Sequence, residues 1–331
     1  MKHTYIFLFG LLVLLASACS NDDLDKESIF TETTQTDSTP LDQWVKTNFT
    51  DPYNIRFLYH YNDKETNNYY NVIPADYDKS VALAILLKHV WIDTYTELVG
   101  QDFMKTYSPR VYQLIGSAEY NSSTGSIVLG TAEGGIKVTL FRVNDIDVDH
   151  PVIDSDSPYP NTEAVPIDLN YWFFHTMHHE FCHILTQKKD YSTDFRTIST
   201  ANYQRASWIN VKDKDAGVKG FVTGYASMEY NEDFAETYAT YITHTEDAWN
   251  KLLENAVQVK LDENEDTIFT YDKNGNKFPV YDYSGYDAIV KKLNIVKDYF
   301  QKQWGIDIDK LRTIVLRRSQ EVKDLDLHTL K

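Results

Sequence analysis

The sequence predicts an α+β fold, and three observations carry that prediction. Apolar residues recur at three- and four-residue intervals over residues 81–98 and in several long stretches after residue 169, the period of helices with one buried face. Between residues 111 and 143 the pattern changes to short β-type runs divided by Ser122, Ser123, Gly125, Gly134 and Gly135, which reads as a small sheet with tight turns. Inside one helical stretch, His179, Glu180, Phe181, Cys182 and His183 spell H-E-x-x-H.

Residues 1–18 carry Lys2 and then an apolar run over residues 6–16, too short to span a bilayer and of the length of a signal-peptide core. Ala16, Ser17 and Ala18 lead into Cys19, which resembles a bacterial lipoprotein cleavage site with Cys19 as the lipidated residue; cleavage of an ordinary secreted protein nearby is the alternative. Ser20, Asn21, Asp22, Asp23, Leu24 and Asp25 resemble the tether of Bacteroidetes-type lipoproteins sent to the outer surface. The expected organisation is a signal peptide over 1–18, a flexible polar tether over 19–40, and a domain over 41–331 whose C-terminal part, from about 245, is helical. By size alone, one large domain or two fused lobes both fit.

Residues 55–61 alternate as a strand before Asp63, Asn67 and Asn68 break it. The helix over 81–98 follows, with Leu83, Leu86, Leu87, Val90, Trp91 and Tyr95 on its apolar face. Strands are expected at 111–115, 126–129 and 136–141, then an acidic loop over 145–161 with Pro151, Pro158 and Pro160. A helix over 169–187, capped by Asp168 or Asn170, holds the histidine motif. Further helices are expected over 232–244, 245–257, 286–304 and 307–322. Tyr271 to Lys277 resembles a calcium loop at a glance, but its sixth position lacks glycine, and a hairpin turn at Asn274 and Gly275 is the better reading. The sequence contains no internal repeat.

Formal charge is −17, and signal cleavage removes Lys2 and no acid, taking it to −18. Phosphate binding needs clustered Lys and Arg, so nucleic acid is not an expected partner. Two cysteines, Cys19 and Cys182, cannot form a disulfide framework if the first carries lipid, so a buried core must stabilise the fold. The 24 tyrosines read as half-buried packing residues.

On a helix, positions i and i+4 share a face with Cβ atoms about 5 to 6 Å apart, so His179 and His183 can close on one metal about 2 Å from each nitrogen. Glu180 is then placed to act as general base toward water. A catalytic zinc takes three protein ligands and keeps a fourth position open. Glu232 and Glu236, in Asn231, Glu232, Asp233, Phe234, Ala235, Glu236, lie one turn apart: Glu232 can ligate and Glu236 can accept a hydrogen bond from the far nitrogen of a ligand histidine. An acidic helix start that merely complements the dipole is the plainer alternative. Glu229 is a second candidate third ligand.

H-E-F-C-H followed by N-E-D-F-A-E resembles the glutamate-ligand zincins, and the F-A-E element with Tyr225 seven residues before Glu232 is similar to lethal-factor-like peptidases. With the lipoprotein-like start, the chain resembles the zinc-binding metallopeptidase lipoproteins associated with SusC/SusD-type nutrient import. The resemblance implies a zincin-like fold, with a small mixed sheet and its edge strand packed on the H-E-x-x-H helix and a glutamate-bearing helix. It implies one zinc ion held by His179, His183 and Glu232, Glu180 as the base, Tyr225 steadying the oxyanion and Glu236 behind a ligand histidine. Packing is the alternative role for Tyr225. An antiparallel edge strand would hold an extended peptide or protein substrate, with 136–141 the candidate. The implied place is the cell envelope, by a lipid anchor only, at the outer membrane facing the exterior, with a SusC/SusD-type import complex as partner.

His175 shares the face of His179, but pairing them would put Thr176 where the base belongs, so His175 is expected to line the groove or pack. His178 points about 100° away. Cys182 reads as a small buried packing residue. A reading from another class is a surface accessory lipoprotein that captures ligand and uses zinc structurally or weakly; a structural site has no use for Glu180 and usually closes its fourth position.

Overall fold

The computed structural model describes the backbone of residues 38–61, 71–120, 127–128, 130–133 and 136–331. The signal segment, Cys19, most of the tether, the strand-breaking Asp63, Asn67 and Asn68, and the turn residues Ser122, Ser123, Gly125, Gly134 and Gly135 lie outside the described residues. Contacts divide the chain into Met1–Thr39 and Pro40–Lys331, and every element named here belongs to the second unit.

In chain order, α1 (Pro40–Val45) continues through further helical turns to Tyr53, and β1 (Arg56–Leu58) follows. The expected helix over 81–98 is α2 (Tyr77–Leu86), a π-helical turn (Leu87–Ile92) and α3 (Asp93–Val99). Next come α4 (Gln101–Tyr107), β2 (Val111–Leu114), a small arm of β3 (Glu119–Tyr120) and β4 (Ile127–Val128), then β5 (Gly130–Glu133) and β6 (Lys137–Leu140). A π-helical turn (Asn170–His175) opens onto α5 (Thr176–Lys188), and α6 (Thr193–Ile198) follows. α7 (Tyr230–Thr243) and α8 (Glu246–Glu254) precede short strands β7 (Gln258–Val259), β8 (Phe269–Tyr271), β9 (Lys277–Pro279) and β10 (Tyr281–Asp282). The chain ends with α9 (Ser284–Tyr299), a π-helical turn (Phe300–Trp304) and α10 (Ile308–Glu321).

The main sheet has four strands in the order β1-β2-β6-β5. β1 pairs parallel with β2 and β2 parallel with β6, while β5 pairs antiparallel with β6. Helices α2 to α4 form the long crossover that parallel pairing of β1 and β2 requires. The mixed sheet and helical C-terminal part agree with the α+β expectation, but its edge was misplaced. The candidate edge strand over 136–141 is interior: β6 has a neighbour on each side, and the antiparallel edge is β5. Thr139 is buried as well as Val138 and Leu140, as in parallel strands covered on both faces. The strand expected at 126–129 is present as β4, but residues 127–128 pair with β3 in a separate arm and not in the main sheet.

Local chemistry sets the helix ends. Thr245 accepts the Ala248 N–H at the start of α8, and Asp307 accepts the N–H groups of Asp309 and Lys310 at the start of α10. The turn at Asn274 and Gly275 joins β8 to β9, with Tyr271 opposite Lys277 and Gly275 at φ 82°. Phe181 of α5 meets Trp91 and Tyr95 edge-on at 5.3 and 5.1 Å, which fixes α5 against the α2–α3 helix. α7 is the central helix, buried continuously from Asp233 to Thr243 and packed on α5, α9 and α10. Its Phe234 stacks on Tyr191 at 4.0 Å and its Tyr238 on Phe300 at 4.1 Å.

Candidate metal centre

The helical path that leads through the π-helical turn into α5 begins where Asp168 Oδ1 accepts the Asn170 N–H at 3.0 Å and the Asp154 N–H at 2.9 Å. Asp168 is therefore the capping residue, and Asn170 instead donates its side-chain amide to the carbonyls of Asp154 and Thr243. That second bond ties the entry of the histidine helix to the end of α7. Met177, Phe181, Cys182, Ile184 and Leu185 bury one side of α5, which turns His179, Glu180 and His183 toward a cavity of about 600 Å³.

His179 and His183 face one another with ring centroids 4.7 Å apart. Their Nε2 atoms are 3.0 Å apart, and Glu232 Oε2, from the first turn of α7, lies 3.1 Å from one and 3.2 Å from the other. Among the described residues, His179, His183 and Glu232 are a grouping with ligand atoms close enough to share an ion. One turn along α7, Glu236 Oε1 lies 2.7 Å from His179 Nδ1. An ionised carboxylate only accepts, so Nδ1 carries a proton, and once Nε2 gives up its own proton the neutral ring presents a lone pair there.

These residues fit a zinc ion. A tetrahedral zinc with bonds of about 2.0 to 2.1 Å separates its ligand atoms by about 3.3 to 3.4 Å, within a few tenths of the distances here. Two imidazole lone pairs and a carboxylate oxygen also repel one another unless a cation lies between them. A proton on an imidazole can supply that positive charge in place of an ion, and it sets the ionisation of the site. Burial works against the Glu232 charge, but the two imidazoles overcome it and hold its carboxyl far below the usual range. Burial likewise opposes the Glu236 charge, and His175, His179 and Thr223 together hold its carboxyl down at about 2. Burial disfavours a charged His179, yet the two carboxylates push its pKa well above the ordinary value.

Glu180 lines the same cavity, and burial raises its carboxyl against the pull of the two imidazoles. Tyr225 sits in a single 3₁₀ turn (Tyr225–Ser227), its ring 5.9 Å from that of His179 and 4.8 Å from Trp208. Burial first, then the charge of the nearby Glu232 carboxylate, raises the phenol pKa. Glu229 lines the cavity wall just before α7 and stands outside the three-atom cluster. His175 is buried with Nε2 3.5 Å from Glu236 Oε1, also outside the cluster. His178 points the other way and bonds Tyr95, which in turn bonds Tyr238. Cys182 is a buried free thiol whose pKa burial pushes well up.

Two supports were not found from the sequence. Thr223 donates to the second oxygen of Glu236, and the Lys292 ammonium lies 2.6 Å from Asp233, the neighbour of Glu232. Lys292 carries no local signal, whereas a polar residue two positions before Tyr225 was a hint.

Two imidazoles one helical turn apart, a glutamate from a second helix and a free carboxylate beside them form the arrangement of the H-E-x-x-H metal-dependent hydrolases. The chain belongs to the family described as "Putative zinc-binding metallo-peptidase", whose model matches residues 33–309. A crystal structure described as a putative zinc-binding metallo-peptidase from Bacteroides caccae ATCC 43185 superposes with a TM-score of 0.64 at 34% identity, covering 88% of this chain and 95% of that one. An uncharacterized protein of Mycobacterium tuberculosis (strain ATCC 25618 / H37Rv) is 26% identical over 142 residues, 41% of this chain and 38% of its own length. A Mycobacterium bovis protein matches over the same shares. The chain thus spans well under half the length of these curated relatives.

Proposed function

We propose that the chain is a zinc-dependent peptidase that hydrolyses peptide bonds, with Glu180 as its general base. The observation that carries this reading is the convergence of His179 Nε2, His183 Nε2 and Glu232 Oε2 in the cavity that also holds the Glu180 carboxylate. When bound there, zinc supplies Lewis acidity toward a carbonyl and lowers the pKa of water to about 7. His179, His183 and Glu232 would hold the ion, and Glu236 fixes the tautomer of His179 that makes it a ligand. Glu180 takes the proton of the attacking water and delivers it to the leaving amine; its burial, which raises the carboxyl, suits a group that must both accept and release a proton. The Tyr225 hydroxyl would donate to the oxyanion as charge develops, a role supported by its ring lying 5.9 Å from that of His179. An extended substrate would pair with the outer side of β5, the edge strand of the main sheet among the described residues, which contacts α5.

Residues 1–25 support a further proposal: lipid attachment at Cys19 and an acidic tether would set the enzyme on the outer membrane, facing outward, in the service of a SusC/SusD-type import complex and nutrient acquisition. Among the described residues, no helix is long and apolar enough to cross a membrane.

The test of the catalytic reading is Glu180→Gln. The variant is expected to keep one zinc per chain by elemental analysis and to lose cleavage of a mixed peptide library; undiminished turnover refutes the role. Stoichiometric zinc in a wild-type chain that cleaves no peptide would favour an accessory binding protein.

A further inference from the structure

Glu236 meets His179 with one oxygen and Thr223 with the other: Thr223 Oγ1 donates to Glu236 Oε2 at 2.6 Å. The same Oγ1 accepts the N–H of Ala226 at 3.1 Å, and Ala226 is the middle residue of the turn that carries Tyr225. A hydroxyl has one proton and two lone pairs, so both kinds of bonding capacity are committed at once. The turn is held from its other side as well. Asp213 Oδ1 accepts the Gly224 N–H at 2.7 Å, and a Cβ on Gly224 would lie 2.1 Å from the Val211 carbonyl oxygen, so this backbone approach requires glycine. Ser227 Oγ closes the turn by donating to the Gly224 carbonyl at 2.6 Å.

We propose that Thr223 is a positioning residue that sets two parts of the centre through one oxygen atom: the plane of Glu236, and so the ring of His179, and the turn that presents Tyr225. A glutamate bonded through one oxygen alone can swing about its last torsion, because terminal carboxylate torsions are broad. The bond to Oε2 removes that freedom and aims Oε1 at Nδ1. The inference rests on the zinc reading above, and the experiment separates the two.

Zinc affinity is measured by competition with a chromophoric chelator for the wild-type mature chain and for Thr223→Val, Thr223→Ser, Glu236→Gln and the Glu236→Gln/Thr223→Val double variant. Melting in excess chelator reports that each variant is folded. Groups behind a ligand histidine govern metal affinity by about 10- to 100-fold, and Thr223, acting one bond further back, is expected near the lower figure, about tenfold for Thr223→Val. Thr223→Ser keeps the hydroxyl and should lie within about threefold of wild type. Because Thr223 acts through Glu236, the double variant should bind no more weakly than Glu236→Gln alone. With zinc saturating, Thr223→Val should also lower peptide turnover in the wild-type background and not in Tyr225→Phe. Should Thr223→Val not fold, Thr223→Ala removes the same hydroxyl with less bulk. Unchanged affinity in the hydroxyl-less variant, or losses that multiply in the double variant, overturn the Glu236 half of the proposal; equal turnover loss in both backgrounds overturns the Tyr225 half. A wild type that takes up no zinc refutes the metal reading itself, and the inference with it.

Discussion

Replacing Lys292 by methionine should unfold the molecule more readily than any surface change, although Lys292 touches no ligand atom. Its ammonium lies 2.6 Å from Asp233 Oδ2 and donates at 2.6 Å to the Gly220 carbonyl, and the two side chains of the ion pair are 1% and 0% exposed. Tyr203 adds a hydrogen bond of 2.7 Å to the same carboxylate oxygen. Burial pushes the Asp233 carboxyl up and the Lys292 ammonium down, so each charge persists because the other is there. Methionine matches the lysine stem but leaves a buried carboxylate uncompensated, at a cost of about 3 to 5 kcal/mol. For a chain of this size that is a fall of roughly 6 to 10 °C in melting temperature. Asp233→Leu/Lys292→Met should recover most of the loss, since an apolar pair of similar volume is often as stable as a buried ion pair. The residue of the cost, about 1 kcal/mol per orphaned group, falls on the Tyr203 hydroxyl and the Gly220 carbonyl. Urea unfolding followed by circular dichroism, with chelator present throughout, measures all three chains. A single variant that loses less than about 1 kcal/mol, or a double variant as unstable as the single, would refute this account of how α7 is pinned to α9.

Other perturbations have equally definite outcomes. Tyr225→Phe should lower turnover by about 10²- to 10³-fold, the cost of one oxyanion donor, with zinc content unchanged; turnover within threefold of wild type would make the ring a packing residue. Burial lifts the Asp168 carboxyl to about 6 against the hydrogen bonds from Asp154 and Asn170 N–H, and its Oδ2 has no partner among the described residues. The folded chain therefore keeps a proton that the unfolded chain releases near pH 4, so stability falls as pH rises from about 4 to 6, by about 2 to 3 kcal/mol. Melting curves across that range should lose this component in Asp168→Asn, and an unaltered slope would remove Asp168 as its source. Native protein lacking residues 1–19, and with them Cys19, should leave Cys182 unmodified by iodoacetamide and react only in denaturant, because the thiol is buried and its pKa raised; stoichiometric labelling of folded protein would contradict the packing.

What was legible in the sequence follows from how local each cause is. The imidazole pair and the Glu232–Glu236 pair are i, i+4 relations, complete within one turn of helix, and the structure brings both pairs to one point. Helices α8 and α10 begin where Thr245 and Asp307 supply caps, and the β8–β9 hairpin turns where Asn274 and Gly275 permit it. Sheet order was not legible, because it joins Arg56 to Val111 and Val111 to Lys137 across gaps that no local pattern encodes. The same reason hid the edge strand β5 and the pairing of Lys292 with Asp233. Helices over 40–53 and α4 escaped because each shows too few turns for a period to emerge. Tyr225 was singled out by resemblance and spacing, and its turn became visible only in three dimensions.

The π-helical turn Asn170–His175 ahead of the histidine motif holds one residue more than an α-helical path would need. It therefore marks the place in this helix where chain length can change at least cost. Losing one residue there converts the wide turn to ordinary α-helix and leaves His179, Glu180 and His183 on the same face, whereas losing one residue within α5 rotates every later side chain by about 100°. Length variation among relatives should accumulate at 170–175 and spare 176–188. The wide turn would then act as a buffer between changes in chain length and the ligands.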